Sequence, residues 1–274
     1  MNSLSATAYV QYLERIRFPG RVGSHALEPS LLTLQALHEA HLLAVPFENL
    51  SIHYGQPIIL QEEALFNKIV RQRRGGFCYE LNGLFAWLLR QVGFQVTLLS
   101  AGVANDSGSF SPEFDHLTLL IHQVDGADWL ADVGFGDSFR LPLRFEAELA
   151  QEEADGRTYR LWREYGECDE SEENTKREYW TLQQYSDDRW KSHYRFTLQP
   201  RALTDFTQRC HYQQTSPESH FTQKRMCSLA TPMGRITLSD LLLITTIHGN
   251  KEERMVRSEE EYREALAEWF GVVL

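Results

Sequence analysis

Apolar positions recur at helical spacing through the first third of the chain. Ala8, Tyr12, Leu13 and Ile16 fall on one helix face, as do Leu31, Leu34, Leu37, His38 and Leu42. A third stretch, Glu62 to Arg71, groups Leu65, Phe66, Ile69 and Val70. Gly75-Gly76 interrupts the pattern, and it resumes from Cys78 to Val92 with Leu81, Leu84, Phe85, Leu88 and Leu89. Gly93, directly after the last apolar residue, stands where a helix C-cap falls.

From Gln95 to about Leu198 the texture changes to short β-rich runs: Val96-Thr-Leu-Leu, His116-Leu-Thr-Leu-Leu-Ile, Trp129-Leu-Ala-Asp-Val and Tyr194-Arg-Phe-Thr-Leu. Asp125-Gly126 between two of them is a strong hairpin signal. The middle of the chain therefore predicts an antiparallel sheet or barrel. Residues 163–178 are dense in charge and predict a solvated hairpin tip or loop, which makes Cys168 within it a poor catalytic candidate. The last ~70 residues mix strand-like runs with one clear helix, opened by the capping box Ser258-Glu-Glu-Glu261 and carrying Tyr262, Ala265, Leu266 and Trp269 as an apolar stripe. Helices, then sheet, then a mixed tail predict three sub-domains, without internal repeats.

Composition narrows the class. A chain of 274 residues with 42% hydrophobic and 24% charged content reads as an ordinary globular protein. A net charge of −11 argues against nucleic-acid or acidic-membrane partners. The N-terminus lacks the features of a signal peptide and no run is long and apolar enough for a membrane span, so a cytoplasmic location is expected. Cys78, Cys168, Cys210 and Cys227 are too scattered for a disulfide framework, and the ten histidines include no HExxH, so no metal site is expected.

Chemistry concentrates in Arg73-Arg-Gly-Gly-Phe-Cys78-Tyr-Glu-Leu-Asn82. A glycine pair leads into a helix whose first turn carries a cysteine, where free N–H groups and the helix dipole stabilise a thiolate. Arg74 could add to this. Free cysteine is among the most buried residue types, so position alone leaves a packing role open; a nucleophile needs a base. His116 and Asp132 each border an apolar run, where an ionisable group is costly unless paired. Histidine can take the thiol proton while aspartate fixes its tautomer. The hairpin arithmetic resists: with a two-residue turn at Asp125-Gly126, paired residue numbers sum to 251, and His116 with Asp132 sum to 248. They share a face only if the loop is odd or a bulge intervenes.

These segments together resemble the arylamine N-acetyltransferase family nearly end to end. Tyr12-Leu-Glu-Arg15-Ile16 is similar to its opening helix, Val45-Pro-Phe-Glu-Asn-Leu50 to its PFEN motif, and Arg74-Gly-Gly-Phe-Cys78-Tyr-Glu-Leu-Asn82 to its nucleophile segment. His116-Leu and Asp132-Val-Gly-Phe-Gly136 match the sites of its histidine and aspartate, and Tyr212-Gln-Gln-Thr-Ser-Pro217, Cys227-Ser-Leu-Ala-Thr-Pro232 and the closing helix fit its third domain. The resemblance implies an α+β fold: a helical N-terminal domain (1–93) carrying the nucleophile, an antiparallel β-barrel domain (94–203) carrying the histidine and aspartate, and an α/β lid domain (204–274). The catalytic core would be that of papain-like proteases and transglutaminases. It implies a Cys78–His116–Asp132 triad and ping-pong N-acetylation of arylamines or arylhydrazines, with acetyl-CoA as co-substrate and no tightly bound cofactor. Tyr212, Thr215 and Gly134 would meet CoA, with Gly134 letting a pantetheine arm approach the backbone; Phe47, Phe135 and Asp115 would meet the amine. The sequence departs from the family at Ser111-Pro112-Glu113-Phe114-Asp115, and at Glu218 and His220. A cysteine hydrolase or transglutaminase would use the same triad, and a scaffold could keep the fold without the chemistry.

Overall fold

The computed structural model describes Leu4 and residues 6–18, 27–166 and 177–274. The first part is helical: α1 (Ala6–Arg15), α2 (Leu31–Ala44), the short α3 (Leu50–His53), α4 (Glu62–Phe66) continuing as a π-helical turn over Asn67–Arg71, and α5 (Cys78–Val92). Between α2 and α3 runs the two-residue strand β1 (Phe47–Glu48). Ser30 caps α2, its hydroxyl accepting the Thr33 N–H at 3.3 Å. Gly93 ends α5 at φ 107°, the left-handed cap expected of it. The apolar stripe read along α5 understates its burial, because all of α5 except Arg90 and Gln91 is buried. The helix packs against α1 and α4 as well as against the sheet, so it is the shared core of two layers rather than an amphipathic surface element.

Eight strands follow: β2 (Gln95–Val103), β3 (His116–Val124), β4 (Ala127–Ala131), β5 (Leu143–Arg144), β6 (Gln151–Glu152), β7 (Thr158–Gly166), β8 (Arg177–Ser186) and β9 (Arg189–Arg201). They form one antiparallel sheet in the order β5-β4-β3-β2-β9-β8-β7-β6. The sheet curls into a nearly closed barrel. At the seam the Gln151 side chain stands in for a strand partner, accepting the Arg144 N–H at 2.7 Å and donating to the Arg144 carbonyl at 3.1 Å. Alternation along β3 divides its residues: Leu117, Leu119 and Ile121 join the helical core, while Leu120 joins the barrel interior with Leu99, Leu130, Tyr159, Leu161 and Phe196. Of the stretch expected to be a hairpin tip or loop, residues 163–166 and 177–178 are the paired ends of β7 and β8. Cys168 and the rest of that acidic stretch lie outside the described residues.

The remaining chain comprises a 3-10 turn (Leu203–Phe206), α6 (Thr207–Thr215), α7 (His220–Gln223), β10 (Met226–Thr231), β11 (Gly234–Ser239), β12 (Leu242–Ile247), β13 (Asn250–Met255) and α8 (Glu259–Phe270). α6 has no apolar stripe to announce it and was not anticipated. The second sheet has the order β1-β10-β11-β12-β13, so the PFEN segment of the helical region is an edge strand of the C-terminal sheet. Tyr262, Ala265 and Leu266 of α8 cover that sheet through Leu238, Leu243 and Cys227. Ser258 caps α8 by accepting the Glu261 N–H at 3.1 Å, but the Glu261 carboxylate reaches the Arg257 N–H rather than that of Ser258. Among the described residues no helix is long and apolar enough to cross a membrane.

Candidate active site

The Cys78 segment is fixed by close backbone approach. A Cβ on Gly75 would stand 1.9 Å from the Pro46 carbonyl oxygen, so only glycine lets this segment lie against β1. Arg74 does not face Cys78, as its place in the sequence had suggested. Its guanidinium pairs at 2.9 Å with Glu48 of the PFEN motif, and both groups are buried. Glu80 accepts from Lys68 at 2.7 Å and from the Phe77 N–H at 3.2 Å. Asn49 ties the same corner to the C-terminal region, donating to the Phe221 and Lys224 carbonyls and accepting from Met226 N–H. The two motifs thus clamp the start of α5 through buried pairs, whose rupture typically costs about 3–5 kcal/mol.

A bulge resolves the register conflict in the hairpin. Val124 pairs with Ala127 as a two-residue turn demands, but beyond it Ile121 pairs with Trp129 and Leu119 with Ala131. Gln123 takes φ 52° at the shift, and its N–H donates to the Asp128 carboxylate at 2.9 Å. The slip brings Asp132 level with Thr118, two residues from His116 and therefore on the same face. His116 Nε2 and Asp132 Oδ2 are 2.6 Å apart, and both residues are buried. Cys78 at the start of α5 lies against the same strand: its thiol faces the Asp115 carbonyl at 3.9 Å and the Leu117 N–H points to the sulfur, so His116 is bracketed by two backbone contacts to Cys78.

Three consecutive amides beyond β4 are each satisfied by a side chain. Asp132 N–H donates to His38 Nε2 at 3.1 Å, Val133 N–H to Asn82 Oδ1 at 2.9 Å, and Gly134 N–H to Asp132 Oδ1 at 2.9 Å. Asn82 also donates to Asp132 Oδ1 at 2.8 Å and to the Leu117 carbonyl at 2.6 Å, so one amide spans α5, β3 and the Asp132 turn. Asn82 was legible only as part of a motif, and His38 only as a member of an apolar face. A buried polar residue on a core-facing stripe was the one available signal for each.

The electrostatics separate the three groups. Burial pushes the Asp132 carboxyl up, but the His116 imidazole and hydrogen bonds from His116, Asn82 and Gly134 outweigh it and hold the group below its usual value. Burial pushes the Cys78 thiol well up; the Leu117 N–H opposes this, the Asp132 charge adds to it, and the Tyr79 N–H opposes it again. Burial and the Asp132 charge thus work against the thiolate, and the two backbone N–H groups work for it.

The family model described as N-acetyltransferase matches residues 30–274 of the chain. Arylamine N-acetyltransferase 1 of Homo sapiens is 33% identical, covering 96% of this chain and 93% of its own length. Arylamine N-acetyltransferase / N-hydroxyarylamine O-acetyltransferase of Salmonella typhimurium is 35% identical over 83% of this chain and 76% of its own. This chain belongs to the arylamine N-acetyltransferase family. It is accordingly an acyltransferase, and its α+β architecture is the family's. The solved arylamine N-acetyltransferase from Salmonella typhimurium superposes with a TM-score of 0.84 at 31% identity, covering 98% of this chain and 92% of that one. The Mycobacterium marinum arylamine N-acetyltransferase in complex with CoA gives 0.80 at 29% identity, covering 96% and 92%.

The remaining site residues of this arylamine N-acetyltransferase fall into two groups. Phe135 packs on His116, its ring 5.2 Å from that imidazole and 5.1 Å from Tyr194, and a Cβ on the neighbouring Gly136 would stand 4.0 Å from the Phe47 ring. Both phenylalanines are half-buried. Asp115 is held by Arg209 Nε at 2.5 Å and Gln213 Nε2 at 2.6 Å, so α6 grips the residue before His116. At Gly134 a Cβ would lie 2.8 Å from both Cys78 Cα and Asn82 Nδ2, so glycine lets this turn lie against the start of α5. Tyr212 is half-buried with its hydroxyl on Glu218 at 3.2 Å, and Thr215 is exposed at the end of α6. Among the described residues no group of three or more His, Cys, Asp or Glu side chains could hold a metal.

Proposed function

We propose that the protein N-acetylates arylamines or arylhydrazines from acetyl-CoA by a ping-pong mechanism through an acetyl-Cys78 intermediate. The observation that carries this reading is the buried 2.6 Å contact of His116 Nε2 with Asp132, beside a cysteine held against the backbone on both sides of His116. Asp132, ionised and acceptor-only, accepts a hydrogen bond from Nε2–H, which keeps the ring proton on Nε2 and leaves Nδ1 free to accept. Nδ1 withdraws the Cys78 proton as the sulfur attacks the thioester carbonyl, and the protonated His116 then returns that proton to the departing CoA thiolate. In the second half the neutral amine nitrogen adds to the acetyl carbonyl, His116 takes its proton, and the Cys78–acetyl bond breaks to release the amide. An arylamine suits this step because its nitrogen is largely unprotonated at neutral pH. Cys78 is 3% exposed, which keeps bulk water from competing with the amine for the intermediate.

Phe47 and Phe135 are assigned to the aromatic acceptor, and Tyr212 and Thr215 to the CoA side; CoA as the donor's carrier fits a family that includes a CoA complex. Asp115, gripped by α6, is assigned to the wall of the acceptor site. We take residues 1–93, 94–203 and 204–274 as the three domains, and the cytoplasm as the compartment. Steady-state rates at several fixed amine concentrations test the mechanism. Parallel double-reciprocal lines, with stoichiometric CoA release before any amine is added, are the expected result. Intersecting lines without a burst would contradict it.

A further inference from the structure

We propose that His38 of α2 is a positioning residue that sets the backbone of Asp132, and through it the orientation of His116. The proposal rests on the reading of Asp132 as the group that orients His116. The β3–β4 ladder ends at the Leu119–Ala131 pair, so the next amide, that of Asp132, has no strand to bond to. His38 Nε2 accepts it at 3.1 Å. Since Nε2 is the acceptor, the ring proton sits on Nδ1, which donates to the Arg140 carbonyl at 2.7 Å. Both nitrogens of a neutral imidazole are thus used, one on each side of the 132–140 turn that carries the triad aspartate.

The ring cannot turn away from this arrangement. It stacks on Phe139 at 5.7 Å with an interplanar angle of 11° and meets Phe85 edge-on at 5.9 Å, and the residue is 0% exposed. Burial lowers its pKa to about 4, so the acceptor nitrogen stays unprotonated through the neutral range. A core histidine serving packing alone would need one partner in reach. This one bridges the backbone at the triad residue itself and eight residues beyond, and it does so from the helical layer, outside the hairpin. Misplacement of a catalytic group by about 1 Å can cost on the order of 10²-fold in rate, and among the described residues His38 is what holds the Asp132 amide.

Two substitutions separate positioning from packing. In His38→Gln the side-chain oxygen reaches the place of Nε2 and can still accept the Asp132 N–H, while the Arg140 bond is lost. In His38→Asn the shorter amide takes the place of Nδ1, keeping Arg140 and losing Asp132. Each variant gives up one buried hydrogen bond, so their melting temperatures should fall by similar amounts. The single-turnover rate of CoA release from acetyl-CoA should stay within about threefold of wild type for His38→Gln. It should drop on the order of 10²-fold for His38→Asn, with little change in the half-saturating donor concentration. Equal rates in the two variants, whether both intact or both lost, would overturn the proposal. On the unmodified protein, ¹⁵N–¹H spectra of the imidazoles should show His38 carrying its proton on Nδ1 from pH 7 to pH 5; a proton on Nε2 would overturn it independently. Wild-type protein that releases no CoA would instead defeat the proposed acyl-enzyme mechanism and leave the spectra to decide the role of His38.

Discussion

The turn after β4 and the end of α6 are both assigned to the reaction, yet they are built in opposite ways. Around Asp132 each polar group is met by a different element: His38 from α2, Asn82 from α5, His116 from β3. On α6, Thr215 returns its hydroxyl to the His211 carbonyl, and Tyr212 has Arg209 under its ring and Glu218 on its hydroxyl. The first region is over-determined before any substrate arrives, whereas Tyr212 and Thr215 find their partners within their own helix and the turn that follows, leaving the grip on Asp115 to Arg209 and Gln213. Substitutions in the first should therefore disturb chemistry and stability, and substitutions of Tyr212 or Thr215 should disturb binding alone.

The sharpest way to break this contrast is Asp132→Asn. Oδ1 accepts from both Asn82 and the Gly134 N–H, so the oxygen of the new amide must stay there and its NH₂ must face His116. His116 Nε2 then becomes an acceptor, its proton moves to Nδ1, and it can no longer take the proton of Cys78. Turnover should fall by roughly 10³–10⁴-fold with the fold intact; a fall of less than tenfold in steady-state rate would show that the tautomer is not controlled from Asp132. Asn82→Ala comes next, because it strands the Val133 N–H and the Leu117 carbonyl in a buried place. A loss of about 3 kcal/mol in denaturant unfolding is expected, together with lowered kcat.

Acid should weaken the buried regions specifically. Burial holds His38 and His193 down to about 4 and His41 well below its usual 6.5. Below pH 6.5 the unfolded chain binds protons that these native rings refuse. Their contribution to stability is thus complete above that value and is lost as pH falls towards 4. Each site should add a slope of about 1.4 kcal/mol per pH unit, readable as a falling melting temperature between pH 6.5 and 4.5. A flat profile would mean that the rings protonate in the native state. The smallest effects belong to α6: Tyr212→Phe and Thr215→Ala should leave stability within about 0.5 kcal/mol while raising KM for acetyl-CoA several-fold. A loss of kcat at unchanged KM would place α6 with the first region instead.

Much of this could be read from residues alone. The helical spacing and the Gly93 cap located α5, and Cys78, His116 and Asp132, singled out along the sequence, are brought to one place by the fold. Asp125-Gly126 located the hairpin, but its register could not be read, because the bulge depends on Gln123 adopting positive φ and on Asp128 capping it, neither of which periodicity encodes. α6 was missed since its polar composition gives no stripe. Arg74 was misjudged because proximity in sequence says nothing of direction, and its charge turned to Glu48. Asn82 and His38 act through tertiary hydrogen bonds and left no local trace beyond a polar residue where an apolar one would fit.

The most direct test of the central claim, that Cys78 carries the acetyl group, is the intact mass of the protein after brief exposure to acetyl-CoA without an amine. A single adduct of roughly 42 Da, absent in Cys78→Ala and discharged by an added arylamine, is what an activated cysteine nucleophile predicts. A folded, reduced protein that stays at its unmodified mass, or one whose adduct persists in Cys78→Ala, would contradict it.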